Sequence, residues 1–371
     1  MRRRCWCGAM LVLAAVGACS ATDAGQEAGG ALERWSLQRV ATIDPDSAGL
    51  NAAIRSIVAD GDANVYVAGY GPGGIYVFDT AGQPARVLGR AGSGPGEFKN
   101  RYSLAWSGDT LAVYDPENGR VELVDRVGNW VASVPSLRIT GGSDVRLYQA
   151  GSRAFFRPSY EKVAGDERLH ASVIRAGFGI QPDTIIIPEN DIGEAYTLTC
   201  RSDRGIGFEA SRYAPQFRTG VAPSGDLITW RTDQYRLTFT GNDGDTIRVI
   251  SFDQPPIPLT DSMWALDLAD YEKWRKQWSG ADCDAGSLRK PETVWLLNAV
   301  EFDGQGRAWV EGMQHDTMML AVYDTAGRQI AAMPAPERDL DVPYFIRGDR
   351  LYEVEADEDG LQKVVVYDVV R

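Results

Sequence analysis

Histidine is nearly absent from this chain: His170 and His315 are the two among 371 residues. A multi-histidine zinc site is therefore excluded, since such sites gather three or four His and Cys ligands. No Gly-x-Ser-x-Gly occurs, so the exposed serine elbow of an α/β-hydrolase has no support. Basic residues are in deficit, with 38 Lys and Arg against 51 Asp and Glu and a net charge of −13. A surface of that sign repels nucleic acid and anionic membrane alike. Beyond the N-terminus no apolar run approaches the length of a membrane span. What remains is ample for a core: 44% hydrophobic residues, with ten Trp, fifteen Tyr and eleven Phe. Forty Gly and eighteen Pro mark many turns. The length suits two average domains or one large all-β domain.

The N-terminus is set aside first. Arg2, Arg3 and Arg4 form a basic region, Ala9 to Val16 a short apolar one, and Val16-Gly17-Ala18 precede Cys19. That is a secretory signal, too short for a stable span. Small residues directly before a Cys resemble the bacterial lipoprotein processing box. The resemblance implies that residues 1–18 are removed and that Cys19 carries acyl chains, which anchor by burying methylenes. Ser20 after it resembles an outer-membrane address. Residues 19–32 are small and polar and read as a flexible tether. Removing the leader takes three arginines and no acid, so the mature chain is more acidic still. Cys5 and Cys7 leave with the leader. Cys200 and Cys283 remain, and in an exported protein such a pair is expected as a disulfide, the alternative being two separate buried thiols. Closing so long a loop stabilises by about 4–5 kcal/mol in the chain-entropy picture.

One phrase returns along the mature chain. Phe78-Asp79-Thr80-Ala81-Gly82 comes back as Tyr323-Asp324-Thr325-Ala326-Gly327, each copy closing one apolar alternating run and opening another. Weaker marks stand at Val124–Gly128, Ile174–Gly177, Phe239–Gly244 and Tyr367-Asp368. Upstream of most sits a second turn leading into an aromatic or β-branched strand, as in Asp60–Val67, Gly108–Tyr114, Gly225–Trp230, Gly306–Val310 and Gly348–Val354. Four strands per unit at a period of about 40–50 residues point to a β-propeller. The fold expected is all-β: six blades at 53–98, 101–138, 143–190, 217–258, 294–336 and 343–371. The last blade lacks a fourth strand, which 35–43 can supply, closing the ring and removing its free edges. The propeller then occupies 33–371.

Two segments exceed the period, 191–216 and 259–292. The second holds the one convincing helix, capped by Thr260 or Asp261 and ended by Gly280. Trp264, Leu268, Tyr271, Trp274 and Trp278 fall on one face at helical spacing. That face either packs on the ring or forms a lid or partner-facing patch. The two cysteines sit one in each insertion, so a bridge would staple them together.

Gly89-Arg90-Ala91-Gly92-Ser93-Gly94-Pro95-Gly96-Glu97-Phe98 invites a phosphate-loop reading. That reading needs a helix opening after the loop, and here Pro95, Gly96 and another strand follow. Two acidic turns fail as calcium loops: the one starting at Glu355 has Val366 at its twelfth position, and Asp60–Asn64 lacks the sixth-position Gly. Gly-Pro-Gly-Glu-Phe after an Asp-x-x-Gly hairpin instead resembles the blade junction of NHL-type six-bladed propellers. With the leader, the chain resembles bacterial six-bladed β-propeller lipoproteins. The likeness is sharp over 35–135, moderate over 294–371 and poor between. It implies a central channel with Arg90, Glu97 and Arg101 at one face, as a binding face or simply as groups that fix the junction. Metal-dependent lyases and lactonases exist among such propellers, but the histidine count opposes the zinc-dependent amidating lyases. The function expected is a lipid-anchored binding or interaction module of the cell envelope. Its partner would be an envelope protein, a peptide or a glycan, and no cofactor or nucleic acid is implied. The rival is a propeller hydrolase or lyase using carboxylates and a metal at the channel.

Overall fold

Alternating apolar runs cut by Asp- and Gly-bearing turns pair into up-and-down antiparallel sheets. The computed structural model describes residues 32–371 except 72, 100–102, 108, 136–147, 151–153, 163–168, 178–179, 187–196, 204, 223, 242–244, 253–254, 279, 285–287, 315–316 and 341. The leader, Cys19, the tether to residue 31, Arg101 and His315 lie outside the described residues. For 148–186, His170 included, the backbone alone is described.

Sheet 1 comprises Ile54–Ala59, Val65–Gly69, Ile75–Phe78 and Pro84–Leu88. Sheet 2 comprises Ser103–Ser107, Thr110–Asp115, Arg120–Asp125 and Trp130–Pro135. Sheet 4 runs from Phe217–Val221 through Leu227–Arg231 and Arg236–Thr240 to Thr246–Ser251, and sheet 5 from Ala299–Phe302 through Ala308–Gln314 and Thr317–Tyr323 to Gln329–Pro334. The closing sheet has Phe345–Arg347, Arg350–Ala356 and Gln362–Val370, with Ser36–Ile43 as its fourth strand. That strand pairs antiparallel with the last, Leu37 opposite Val369 and Ile43 opposite Val364, so the two ends of the propeller share one sheet.

The architecture is a β-propeller, with five blades where the turn pattern predicts six. A blade is defined by apolar packing on its faces, and the five sheets above show it. Successive residues of one strand enter different cores. Val58, Tyr66 and Val77 pack with Leu104 and Val113 of sheet 2, while Ile57, Val67 and Phe78 pack with Val354, Val364 and Ile43 of the closing sheet. Burial on both faces explains why Val65–Gly69 is apolar without alternation. The expected third blade, 143–190, is a four-stranded antiparallel sheet (sheet 3) with the strands Tyr148–Ala150, Ala154–Lys162, Leu169–Gly177 and Ile180–Ile186. Its side chains fall outside the described residues, so no core is assigned to it.

The repeated phrase is turn chemistry. The Asp79 carboxylate accepts from the backbone N–H of Ala81 and of Gln83, both at 2.9 Å. The same two bonds, to the second and fourth residues on, recur at Asp60, Asp125, Asp303, Asp324 and Asp357. The third residue on must enter the left-handed region. It is Gly82, Gly128, Gly306, Gly327 or Gly360 in five of these turns, and Ala63 with φ 62° in the other.

The two insertions meet. Thr197–Ser202 and Gly205–Ala210 form a hairpin, and Asp282–Asp284 joins it so that Cys200 stands directly opposite Cys283. The two are disulfide-bonded. Helix α1 is Asp261–Gln277, with Thr260 Oγ1 accepting from Met263 N–H at its start and Gly280 at φ 84° just past its end. Trp264, Tyr271, Trp274 and Trp278 pack around Leu198 and the disulfide. The expected stripe needs one correction. Leu268 is exposed, and Asp267, one residue earlier, holds the inward position, accepting from Ser211 Oγ at 2.5 Å. The face centre is set by the residues at seven-residue spacing, and Leu268 lies at its rim. Gly207 belongs to the close approach of Trp278, whose ring occupies the space of any side chain there.

Between sheet 5 and the closing sheet lies a buried polar group. Arg338 makes a two-pronged pair with Glu311 at 2.6 and 2.8 Å, and Asn298 Nδ2 donates to the same carboxylate at 2.6 Å. Glu353 is fully buried nearby. Burial first, then the charges of Glu355 and Glu311, push its carboxyl up to about 8, against Tyr367 and Arg338.

Three outcomes are expected. Gly327→Ala should cost about 1–2 kcal/mol in urea unfolding, whereas Ala63→Gly should be neutral or gain up to about 1 kcal/mol; equal losses at both sites would refute the turn assignment. Peptide mapping without reductant should find Cys200 linked to Cys283, and free thiols there would reject the bridge. The folded chain keeps the Glu353 proton that the unfolded chain releases above its ordinary value of 4.5. Stability should therefore be full below that pH and fall as pH rises to about 8. Glu353→Gln should remove that slope and raise the melting temperature at pH 8; an unchanged slope would show that another group titrates.

Candidate functional site

Up-and-down sheets send the turns between first and second strands, and between third and fourth, to one end of the propeller. The connections between sheets, both insertions among them, leave from the other end. Arg90 and Glu97 belong to that second end. Arg90 Nε and Nη2 donate to Glu97 Oε1 at 2.9 and 2.7 Å, and Glu97 Oε2 accepts from Gly94 N–H at 2.8 Å. Arg120 of sheet 2 donates to the carbonyls of Ser93, Gly94 and Glu97, and Gly96 N–H donates to the buried Glu122. Hydrogen bonds to Gly94 and Arg90 hold the Glu97 carboxyl below its ordinary range. Both of its oxygens are engaged in tying this loop, while Arg90 stays 80% exposed. Sequence reasoning grouped Arg90 with Glu97, and the structure brings them together; Arg101 lies outside the described residues.

The first end holds a cavity of about 540 Å³ between sheet 1 and the closing sheet, lined by Asp60, Gly61, Arg347, Arg350, Tyr352 and Asp368 among others. Its walls include the turns 60–64 and 347–350, Tyr352 and the end of the last strand at Asp368, Val369 and Val370. Asp60 is spent on its own turn: besides the two backbone bonds it accepts from Asn64 Nδ2 at 2.9 Å and Tyr66 Oη at 3.0 Å. Burial pushes its carboxyl up, but these bonds together hold it below the ordinary range. Tyr66 is pushed up to about 12 by burial and by the Asp60 charge. Asp368 accepts from Arg350 Nε at 3.0 Å, and Asp349 is paired with Arg371.

Arg347 is different. Its Nη1 donates to the Ala59 carbonyl at 3.1 Å, and its guanidinium lies 6.0 Å from the Trp106 ring. Among the described residues no carboxylate is paired with it. A second guanidinium reaches the same place from sheet 2: Arg126, which pairs with Asp62 at 3.2 Å and Asp109 at 3.1 Å. A side chain on Gly61 would begin 3.8 Å from Arg347 Nη2 and 3.7 Å from Arg126 Nη2. Gly61 thus lies within reach of two cationic forks, of which Arg347 lines the cavity and Arg126 stands beyond its lining.

Sequence reasoning missed Arg347, Arg126 and Gly61 as a group, having read 60–64 and 348–354 as turns only. One signal was present. At the strand end where sheets 1 and 5 carry Asp60 and Asp303, the closing sheet carries Arg347. Among the described residues no three His, Cys, Asp or Glu side chains are placed to hold a metal ion. Trp230 and Trp309 are buried in blade cores, and Trp295 donates to the Ala214 carbonyl. Among the described residues no helix is long and apolar enough to cross a membrane.

No protein-family profile matches the chain, and no curated protein does. Solved structures similar to it include a protein of Bacteroides fragilis described as exported, at 12% identity and a TM-score of 0.48, covering 91% of this chain and 95% of that one. Virginiamycin B lyase from Staphylococcus aureus is similar at 8% identity and a TM-score of 0.45, over 91% of this chain and 100% of the lyase. A member of the DUF4221 family from Bacteroides vulgatus is similar at 11% identity and a TM-score of 0.45, over 91% and 97%. Likenesses this distant carry no argument about ligand or chemistry.

Proposed function

We propose that the chain is a binding module of the cell envelope, exported by residues 1–18 and anchored through acyl chains on Cys19 at the outer membrane. In this reading 19–32 is the tether, and 33–371 is an NHL-type propeller in which sheet 3 serves as a sixth blade. The position of Tyr148–Ala150 beside Ser103–Ser107 on one side and Phe217–Val221 on the other supports that role. The ligand, a protein, peptide or glycan of the envelope, enters the cavity between sheet 1 and the closing sheet. The observation that carries the reading is that cavity, about 540 Å³ and walled by an arginine that has no carboxylate partner among the described residues. Binding sites are concave, with a few polar groups left over from the fold's own needs. At the opposite end the exposed Arg90, with Arg101, is a second contact of the same module.

Two measurements test this. Cys19→Ala should move the protein from the membrane fraction to the soluble one, and continued membrane association would end the anchor proposal. Gly61→Trp should fill the cavity. An envelope component that co-purifies with the native protein should be lost from this variant while the circular dichroism of the fold is kept; undiminished co-purification would remove the cavity from the function.

A further inference from the structure

We propose that Arg347, which lines the cavity, and Arg126, which approaches Gly61 from sheet 2, clamp an oxyanion, a carboxylate or a phosphate, across Gly61 at the cavity's edge. The inference rests on the cavity reading above and names the ligand chemistry. Each guanidinium sits within van der Waals reach of the side-chain space that Gly61 leaves empty, so their Nη2 atoms stand no more than about 7–8 Å apart. Two charge-assisted bonds of about 2.8 Å, plus the separation of two oxygens on one carboxylate or phosphate, reach about that upper limit, so one oxyanion is large enough to bridge the two forks. The two arginines come from the closing sheet and sheet 2, with sheet 1 between them, so the clamp is built by the ring and not by one turn.

Charge accounting favours an anion over a cation. The deep carboxylate, Asp60, has four hydrogen bonds and nothing to offer a ligand. Asp368 is answered by Arg350. Arg347 is bonded to a carbonyl and faces an aromatic ring, and among the described residues no carboxylate is paired with it. The partners of Arg126 are surface groups, with Asp62 75% and Asp109 92% exposed, and pairs of that kind hold weakly. Arg126 Nε is buried and meets no acceptor among the described residues. An incoming oxyanion would complete one arginine and replace solvent-screened partners of the other. The protein as a whole is acidic, so the clamp selects at contact range and not through a long-range field.

The test is calorimetric titration of the intact chain at constant ionic strength. The probes are inorganic phosphate, a short peptide with a free C-terminal carboxylate, and the same peptide amidated. Saturable binding of phosphate or of the free-acid peptide, with none of the amide, is the expected result, and which of the two binds tells phosphate from carboxylate. Arg347→Gln should weaken binding at least tenfold, Arg347→Lys should restore part of it, and Gly61→Leu should abolish it. Lys276→Gln, which removes one exposed charge from α1, should leave it unchanged. Matching near-ultraviolet dichroism establishes that each variant is folded. Absence of binding by every probe, or unweakened binding by Arg347→Gln, overturns the clamp. If the clamp fails in this way while Gly61→Trp still loses its co-purifying component, the cavity stands and its ligand is of another chemistry.

Discussion

Backbone hydrogen bonds between Ser36–Ile43 and Gln362–Val370 hold the two ends of the propeller in one sheet, and the rest of the molecule depends on that pairing. A linear row of sheets would leave two faces and two edges bare. Here the first strand of the closing sheet lies beside that of sheet 1. Ile43, Val364 and Val366 thereby share a core with Ile57, Val67 and Phe78. The cores between the closing sheet and sheet 1, between sheets 1 and 2, between sheets 4 and 5, and between sheet 5 and the closing sheet each draw on two sheets, so those faces are not buried by one blade alone. The cavity is a product of the same closure, since its walls are contributed by the first and last sheets of the ring.

The aspartate turns serve that arrangement locally. Each uses one carboxylate oxygen to satisfy two backbone donors, so the strand ends stay narrow and the next strand starts in register. Where the position after such a turn calls for the left-handed region, Gly supplies it at five of six sites. Charge placed at strand ends is thus mostly consumed by the fold: Asp60, Asp303 and Asp324 have their partners within a few residues. Arg347, at the same station of the closing sheet, has none within reach of its own turn. What sets Arg347 apart is its place: it lines the cavity, and among the described residues no carboxylate is paired with it.

The loop 89–98 and the cavity turns illustrate how far local sequence can be trusted. Gly-Pro-Gly-Glu-Phe was legible as a junction because its bonds, Arg90 to Glu97 and Gly94 to Glu97, close within seven residues. The helix was legible with its caps, because capping is set by neighbours along the chain. Its inward face was legible except at the rim, where Asp267 and not Leu268 turns toward Ser211. That choice depends on a partner 56 residues away, which helical periodicity cannot supply. The blade count behaved likewise. Turn marks recur with the period of a blade, but a blade is made by cores on its faces, and the degraded mark at Ile174–Gly177 says nothing of those.

By itself the sequence determined the repeating strand and turn, the closing role of residues 35–43, the place of α1, and the pair of cysteines free to bond. These follow from hydrophobic alternation, turn residues and elimination, all properties of short stretches or of residue counts. Only the tertiary structure decided that Cys200 stands opposite Cys283 and that Glu353 is sealed among like charges. It also decided that Arg126 and Arg347 converge on Gly61. Those outcomes rest on contacts between residues far apart in the chain, brought together by the closed ring.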